Sequence, residues 1–181
     1  MTGLRVASAE DAKGVLEIYS PFCLATSAIS FEVVPPSISE MEKRITETLS
    51  MYPWLVYEKD NKILGYAYAS QHKTRAAYDW DVDVSIYIHE KARGQGVGKK
   101  LYQFLFDGLR ALGYFNAYAG VGLPNEASVA LHKSMGFNLI GVYNSTGFKG
   151  GAWRDVAWFG LRLQPLIINP PAPIKFSQLG L

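Results

Sequence analysis

The segment from Asp81 to Leu112 constrains the fold of this chain more strongly than any other. Polar and apolar residues alternate without a break from Asp81 to His89. A period of two is that of a β-strand with one buried face, so this strand should carry Asp83, Ser85 and Tyr87 on its polar face. A glycine-rich turn follows, and apolar residues then recur at helical spacing up to Leu112. The pattern predicts a strand, a glycine turn and a helix in direct succession.

The glycine turn, Arg93-Gly-Gln-Gly-Val-Gly-Lys99, is typical of an anion-binding loop. Glycines let the backbone curl so that several N–H groups point inward, and the N-terminus of the following helix adds partial positive charge. Lys99 stands where a dinucleotide fingerprint needs a glycine. Arg93 and Lys100 stand where a nucleotide-binding P-loop needs a glycine and a hydroxyl residue. Phosphate binding is the favoured interpretation, and a tight turn without a ligand is the alternative.

The other segments predict further strands and about four helices in all, which is an α/β (α+β) pattern. Mixed elements of this kind imply a single mixed sheet with helices on both faces. The length of 181 residues suits one domain, which we assign to residues 1–164. Residues 165–181 are rich in proline, which disfavours helix and central strand. We expect an extended arm, packed on the body or on a partner subunit, or a partly ordered tail.

The composition excludes several classes of protein. With 18 Lys and Arg against 16 Asp and Glu, the net charge is +2, and no basic cluster indicates nucleic-acid binding. The single cysteine, Cys23, excludes an internal disulfide and a cysteine-ligated zinc site, and no His/Asp spacing predicts a metal site. No apolar run approaches the roughly 20 residues that span a bilayer, and no signal core is present, so we expect a cytoplasmic protein.

Two motifs resemble the GNAT superfamily of N-acetyltransferases. One is R-x-x-G-x-G from Arg93 to Gly98, and the other is N-x-A-S from Asn125, followed by Leu131 and by Gly136-Phe137. The resemblance implies the GNAT fold, a mostly antiparallel mixed sheet, with acetyl-CoA as co-substrate. The implied cofactor-binding residues are Ile86, Tyr87, Ile88, Arg93, Gly94, Gln95, Gly96, Val97, Gly98, Lys99 and Asn125.

Further segments are similar to the phosphinothricin acetyltransferase family over about Leu4 to Leu163. They include Ile29-Ser-Phe-Glu32, Ala77-Tyr-Asp-Trp80, Gly122-Leu-Pro-Asn125 and Gly147-Phe-Lys149. Members acetylate the α-amine of phosphinothricin or methionine sulfoximine and are typically homodimers. The resemblance therefore implies a homodimeric enzyme that acetylates a small amino acid-like amine by direct attack on acetyl-CoA.

Acetyl transfer to an amine needs deprotonation of the amine, a polarised carbonyl and a stabilised thiolate. Asp83 is the predicted carboxylate near the amine. The family usually has Glu there, so the shorter Asp favours a water relay. His132 stands where many superfamily members have Tyr and this subfamily has His, and an imidazole can serve as base or acid. The alternatives are a solvated strand carboxylate and a satisfied helix histidine. We interpret His72 and His89 as loop or surface residues.

The predicted substrate-binding residues are Phe31, Lys73, Arg75 and Tyr78. Lys73 and Arg75 are placed by the resemblance to hold a substrate carboxylate, for which arginine is well suited. Phe31 and Tyr78, with Lys149 and Trp153, would shape the side-chain pocket. The alternatives are solvated surface for the cations and core packing for the aromatics.

The sequence leaves two other functions open. One is an enzyme that acts on another amine class, namely a protein N-terminus, a polyamine or an antibiotic. An acidic pocket would favour a polyamine, whereas Lys73, Arg75 and Lys149 favour an anionic substrate. The other is a non-catalytic sensor that binds acyl-CoA.

Overall fold

A seven-stranded sheet forms the centre of the fold. The computed structural model describes residues 2–179; Met1 and the last two residues of the predicted arm, Gly180 and Leu181, lie outside it. The strand order is β1-β2-β3-β4-β5-β7-β6, and all neighbours are antiparallel except β4 and β5. The strands are β1 (Thr2–Val6), β2 (Trp54–Lys59), β3 (Lys62–Gln71), β4 (Asp81–Ile88), β5 (Asn116–Gly122), β6 (Asn138–Lys149) and β7 (Ala152–Arg162).

Four α-helices cover the two faces of the sheet. Helices α1 (Ala12–Cys23) and α2 (Ile38–Met51) pack on one face, where Trp54 and Tyr66 belong to their core. Helices α3 (Val97–Leu112) and α4 (Glu126–Ser134) lie on the other. The predicted single mixed, mostly antiparallel sheet with helices on both faces is confirmed.

The predicted alternation of β4 is also what the structure shows. Val82 and Val84 are buried in the core beneath α3, while Tyr87 packs with the α1 and α2 core on the opposite face. Because successive side chains of a strand point to opposite faces of the sheet, Asp83 lies on the same face as Tyr87.

The sheet opens at its centre. Strands β4 and β5 pair in parallel only where Asp81–Asp83 of β4 lie beside Asn116–Tyr118 of β5, and the pairing stops after these residues. Strand β4 stays paired with β3 and β5 with β7. Because the two halves of the sheet separate after Asp83 and Tyr118, the β5-facing edge of β4 is left without a strand partner beyond that point.

The proline-rich arm packs along the body of its own chain. The Trp80 indole Nε1 donates a hydrogen bond to the Pro171 carbonyl (2.8 Å), and the Ile174 N–H donates to Leu112 O (3.0 Å). Side chains of a short 3₁₀ turn, Phe176–Leu179, pack against the α3 core. The described part of the arm is therefore an extended segment that packs on the body of its own chain. Among residues 2–179, no helix combines the length and apolar character needed to cross a bilayer.

Candidate active site

A cavity of about 690 Å³ occupies the gap between the diverging strands. One wall is the edge of β4 from Val84 to Ile88, and the other is β5 from Ala119 to Gly122. The glycine turn closes one end, and helix α4 contributes Leu131 and His132. The β4 wall of the cavity is about 13 Å long, because the strand rises about 3.3 Å per residue between Val84 and Ile88. An extended ligand with an anionic end at the turn fits this shape.

The turn has the conformation that its glycines predict. Gly94 (φ +72°) and Gly96 (φ +77°) lie in the left-handed region, and a Cβ at either would meet nothing within 4 Å. Backbone conformation rather than space therefore requires glycine at these positions. Gly96 is the N-cap of α3, so the free N–H groups of the first helical turn are available to an anion.

All but one of the predicted cofactor-binding residues line the cavity. Gln95 is the exception: its side chain turns back, and Nε2 donates to Lys91 O (2.6 Å). Its side chain shapes the turn rather than the cavity wall, and a role in cofactor binding stays a prediction for its backbone N–H. Asn125 lines the cavity and also caps α4, because its Oδ1 accepts from the Ser128 N–H (3.2 Å).

His132 lies at the wall of the cavity and is only 3% exposed. Its Nδ1 is 2.7 Å from Ser128 O, and its Nε2 is 2.8 Å from the Tyr102 hydroxyl. Because a carbonyl only accepts, Nδ1 carries the proton and Nε2 accepts from Tyr102 when the ring is neutral. Burial lowers the pKa of His132, so the neutral ring is favoured.

Asp83 forms a pair that the sequence did not predict. Its Oδ1 lies 2.7 Å from Nδ1 of His72, and the His72 ring stacks on Tyr118 with centroids 4.4 Å apart. Burial raises the pKa of Asp83, and the hydrogen bond from His72 opposes that shift. His72 lies in the loop after β3, as predicted, but its side chain is only 14% exposed and is held by the half-buried carboxylate of Asp83.

Asp83 and His132 lie on opposite faces of the sheet and have different partners. Asp83 shares the α1 and α2 face with Tyr87, whereas His132 packs in the α3 and α4 layer against Phe159. The two groups therefore do not form a directly bonded dyad. They flank the opening between β4 and β5 from its two sides.

Three of the four predicted substrate residues lie in the connection between β3 and β4, next to His72. The Tyr78 ring is 6.1 Å from the His72 ring, and Lys73 Nζ is 5.1 Å from the Tyr78 centroid. Arg75 is exposed at the start of the short 3₁₀ turn Ala76–Tyr78. The fourth residue, Phe31, lies against Gly147, where an added Cβ would clash with its ring.

The structure contradicts the predicted pocket role of Lys149. Lys149 is 3% exposed, and its Nζ donates to the backbone carbonyls of Phe22 (2.8 Å) and Ser30 (2.7 Å). Lys149 therefore fastens the segment after α1 to the β6–β7 hairpin. Trp153 is 64% exposed and packs its ring on Phe148 of the same hairpin, away from the cavity.

The single cysteine of the sequence does not line the cavity. Cys23 is buried, and burial raises the pKa of its thiol, so the thiolate is disfavoured. Residues 2–179 contain no group of three or more His, Cys, Asp or Glu side chains placed to hold a metal. What the site offers is a glycine turn with free helix N–H groups, an open strand edge, His132 at the cavity wall and the His72–Asp83 pair beside the cavity.

Comparison with known proteins places this site in a family. Residues 4–158 match the acetyltransferase (GNAT) domain. The chain belongs to the GNAT acetyltransferases. This domain is 33% identical over 172 residues to a phosphinothricin N-acetyltransferase of Streptomyces viridochromogenes, which covers 95% of this chain and 92% of that protein. It is also 31% identical over 160 residues to an L-methionine sulfoximine/L-methionine sulfone acetyltransferase of Salmonella typhimurium. That match covers 88% of this chain and 94% of the Salmonella protein.

A solved structure agrees with these relatives. A GNAT superfamily phosphinothricin acetyltransferase from Sinorhizobium meliloti, in complex with acetyl-CoA, superposes on this GNAT domain with a TM-score of 0.87. The two chains are 34% identical, and the match covers 97% of this chain and 98% of that one. The resemblance inferred from the motifs is confirmed, and the chain is an acyltransferase of the GNAT type.

Proposed function

We propose that this GNAT domain transfers the acetyl group of acetyl-CoA to the α-amine of a small amino acid-like substrate, of the phosphinothricin and methionine sulfoximine class. The observation that carries the proposal is the cavity between β4 and β5, which begins at an anion-binding turn and extends toward Asp83. Relatives over nearly the whole chain act on amino acids of this class, by their names.

The residues of the cavity fit acetyl-CoA. Open space above Gly94 and Gly96 leaves room for a pyrophosphate, which the N–H groups at the start of α3 would bind. Arg93 and Lys99 add positive charge beside it. The unpaired edge of β4 from Ile86 to Ile88 would hydrogen-bond the pantetheine arm, as an added strand would. Bound there, acetyl-CoA supplies a thioester carbonyl at the end of the cavity distant from the turn.

Two polar groups would serve the two sides of the reaction. Asp83 belongs on the amine side, because it lies with the predicted substrate residues Lys73 and Tyr78. His132 belongs on the thiolate side, where it holds the Tyr102 hydroxyl at the cavity wall. The Tyr102 hydroxyl, which also lines the cavity, would turn its proton from Nε2 of His132 toward the departing sulfur and stabilise it. The amine would attack the thioester directly, without an acyl-enzyme intermediate.

The charge beside the site favours an amino acid. Lys73 and Arg75 would attract the substrate carboxylate, and the same charges would repel a polyamine. Phe31 and Tyr78 would contact the substrate side chain. The cations and these aromatics enclose the approach to Asp83 from the β3–β4 connection and from the loop after α1.

A thiol-release assay tests this function. The purified protein and acetyl-CoA are mixed in turn with phosphinothricin, methionine sulfoximine, common amino acids, a polyamine and a short peptide. We expect release of CoA thiol with amino acid-like amines only. Release confined to the polyamine or the peptide would assign another amine class. Acetyl-CoA binding without release on any acceptor would support a sensor and refute the proposal.

We further propose that the enzyme is a cytoplasmic homodimer. Large apolar side chains are exposed along the edge strand β6, and they include Leu139, Ile140, Val142, Tyr143 and Phe148. Contiguous exposed apolar surface of this kind is typical of an interface. Sedimentation of the full chain tests the dimer, and a monomer at micromolar concentration would refute it.

A further inference from the structure

A histidine that the family motifs do not include lies where the two halves of the sheet separate. Asp83 and Tyr118 are the last paired residues of β4 and β5, and the residues that follow them, Val84 and Ala119, already line the cavity. His72 lies over this point: its Nδ1 is bonded to Asp83, and its ring stacks on Tyr118. The imidazole is therefore held beside the residues that line the end of the cavity distant from the glycine turn.

The hydrogen bond to Asp83 determines which ring nitrogen is free. An ionised carboxylate only accepts, so Nδ1 donates and the neutral ring has its lone pair on Nε2. Among residues 2–179, Asp83 alone hydrogen-bonds to this imidazole, and it uses Nδ1. In the part of the chain that the structure describes, the buried side-chain nitrogens without a hydrogen-bond partner are those of Trp54, Arg154 and Trp158. The unpaired Nε2 of His72 is not among them, so it is not fully buried. Nε2 is therefore an accessible proton acceptor.

Aromatic rings fix the orientation of that acceptor. Tyr118 stacks on one face of the imidazole, and the rings of Tyr78 and Trp158 meet it edge-on at 6.1 and 6.4 Å. A base held between aromatic rings loses little conformational freedom when the substrate arrives. Its neighbour along the chain, Lys73, is one of the residues expected to attract a substrate carboxylate.

We propose that His72 is the catalytic base for the substrate amine and that Asp83 is its positioning residue. The proposal rests on the proposed acetyltransferase function and names the proton acceptor for it. Asp83 fixes the tautomer and stabilises the imidazolium, while Nε2 takes the proton. The separation of roles explains how an aspartate, whose short carboxylate is engaged by His72, can still promote deprotonation of the amine.

The proposed reaction begins with a proton transfer. Nε2 of His72 takes one proton from the substrate ammonium, which leaves a neutral amine and an imidazolium. The amine nitrogen attacks the thioester carbonyl carbon, a C–N bond forms, and the carbonyl π electrons move to oxygen. When the carbonyl re-forms, the C–S bond breaks and its electron pair leaves on sulfur. The thiolate accepts a proton that the new amide nitrogen loses, and His72 releases its own proton to solvent.

The groups around the imidazole define the pH experiment. The titratable or charged groups that face it are Asp83 from β4, Lys73 and Tyr78 from the β3–β4 connection, and Tyr118 from β5. Burial raises the pKa of Tyr118, so this phenol stays neutral across the range of the assay.

The test compares His72→Asn with the wild-type protein in the thiol-release assay, using the best amino acid acceptor. An asparagine amide can still donate to Asp83, but it has no nitrogen that accepts a proton. We expect kcat at pH 7 to fall by about 10²-fold or more, with the KM for acetyl-CoA unchanged. The loss should shrink as the pH rises, because the solution then supplies neutral amine. Asp81→Asn is the matched control, since Asp81 lies on the same strand face but pairs with Asn116 (2.6 Å).

The outcomes separate this proposal from the one on which it rests. Wild-type activity with a pH-dependent loss in His72→Asn supports His72 as the base. An equally active variant, or the same fractional loss at every pH, would overturn that role and leave the acetyltransferase function standing. A wild-type protein that releases no thiol with any amino acid would overturn both. Circular dichroism of the variant shows whether its fold is retained.

Discussion

Lys149 is the residue whose replacement best separates a structural contact from a substrate contact. Its amino group donates to the carbonyls of Phe22 and Ser30, 127 and 119 residues away in sequence. These two bonds tie the loop that carries Phe31 to the β6–β7 hairpin. Lys149→Met keeps a long apolar stem and removes the donor. Both carbonyls then lose their partner in a region that water reaches poorly.

The expected cost follows from these contacts. A buried acceptor left without a hydrogen bond costs about 1–3 kcal/mol. The bond to Ser30 is fully buried and the bond to Phe22 only in part, so we expect a loss of about 2–4 kcal/mol in the free energy of unfolding. For a domain of this size, that corresponds to a decrease in Tm of roughly 5–15 °C.

Thermal unfolding and steady-state kinetics test this prediction together. Lys13→Met, at an exposed lysine of α1, is the matched control and should leave Tm within about 1 °C. In Lys149→Met, a loosened loop should raise the KM for the amine while acetyl-CoA binding is retained. A Tm equal to that of the wild type, together with a raised KM, would refute the structural role and return Lys149 to the substrate pocket.

Two further variants test the two ends of the cavity. Because burial lowers the pKa of His132, the unfolded state binds more protons below about pH 6.5, so stability should fall as the pH decreases from 7 to 5. His132→Gln should flatten that decrease in urea unfolding and lower kcat with acetyl-CoA binding kept; an unchanged slope would contradict the buried neutral ring. Gly96→Ala places a Cβ at φ +77°, at a cost of about 1–2 kcal/mol, and should weaken acetyl-CoA binding with the fold retained. Calorimetry that shows unchanged affinity would contradict the phosphate role of the turn.

The sequence predicted the parts of the site that depend on local patterns. Strand β4 and the glycine turn are encoded by a period of two and by glycines that must adopt positive φ, so both are found as expected. His72 lies in a loop as expected, but its bond to Asp83 was not predicted because it depends on the pairing of β3 with β4. That register places Ser70 opposite Asp83 and leaves His72 just beyond the end of β3.

Other features of the site have the same non-local origin. The surroundings of Lys149 come from residues more than a hundred positions away, so its burial has no local signal. Asp83 and His132 stay predicted to serve one reaction, but the facing of β4 and the packing of α4 place them on opposite sides of the sheet, which no local pattern indicates.

The identity of the acetylated nitrogen distinguishes an amino-acid N-acetyltransferase from its alternatives. The protein is incubated with acetyl-CoA and methionine sulfoximine, and the product is analysed by mass spectrometry while thiol release is counted. We expect one acetyl group on the α-nitrogen for each thiol released, and no product from a polyamine at the same concentration. An acetylated polyamine or peptide with no acetylated amino acid, or bound acetyl-CoA with no acetylated product, would contradict the proposed function.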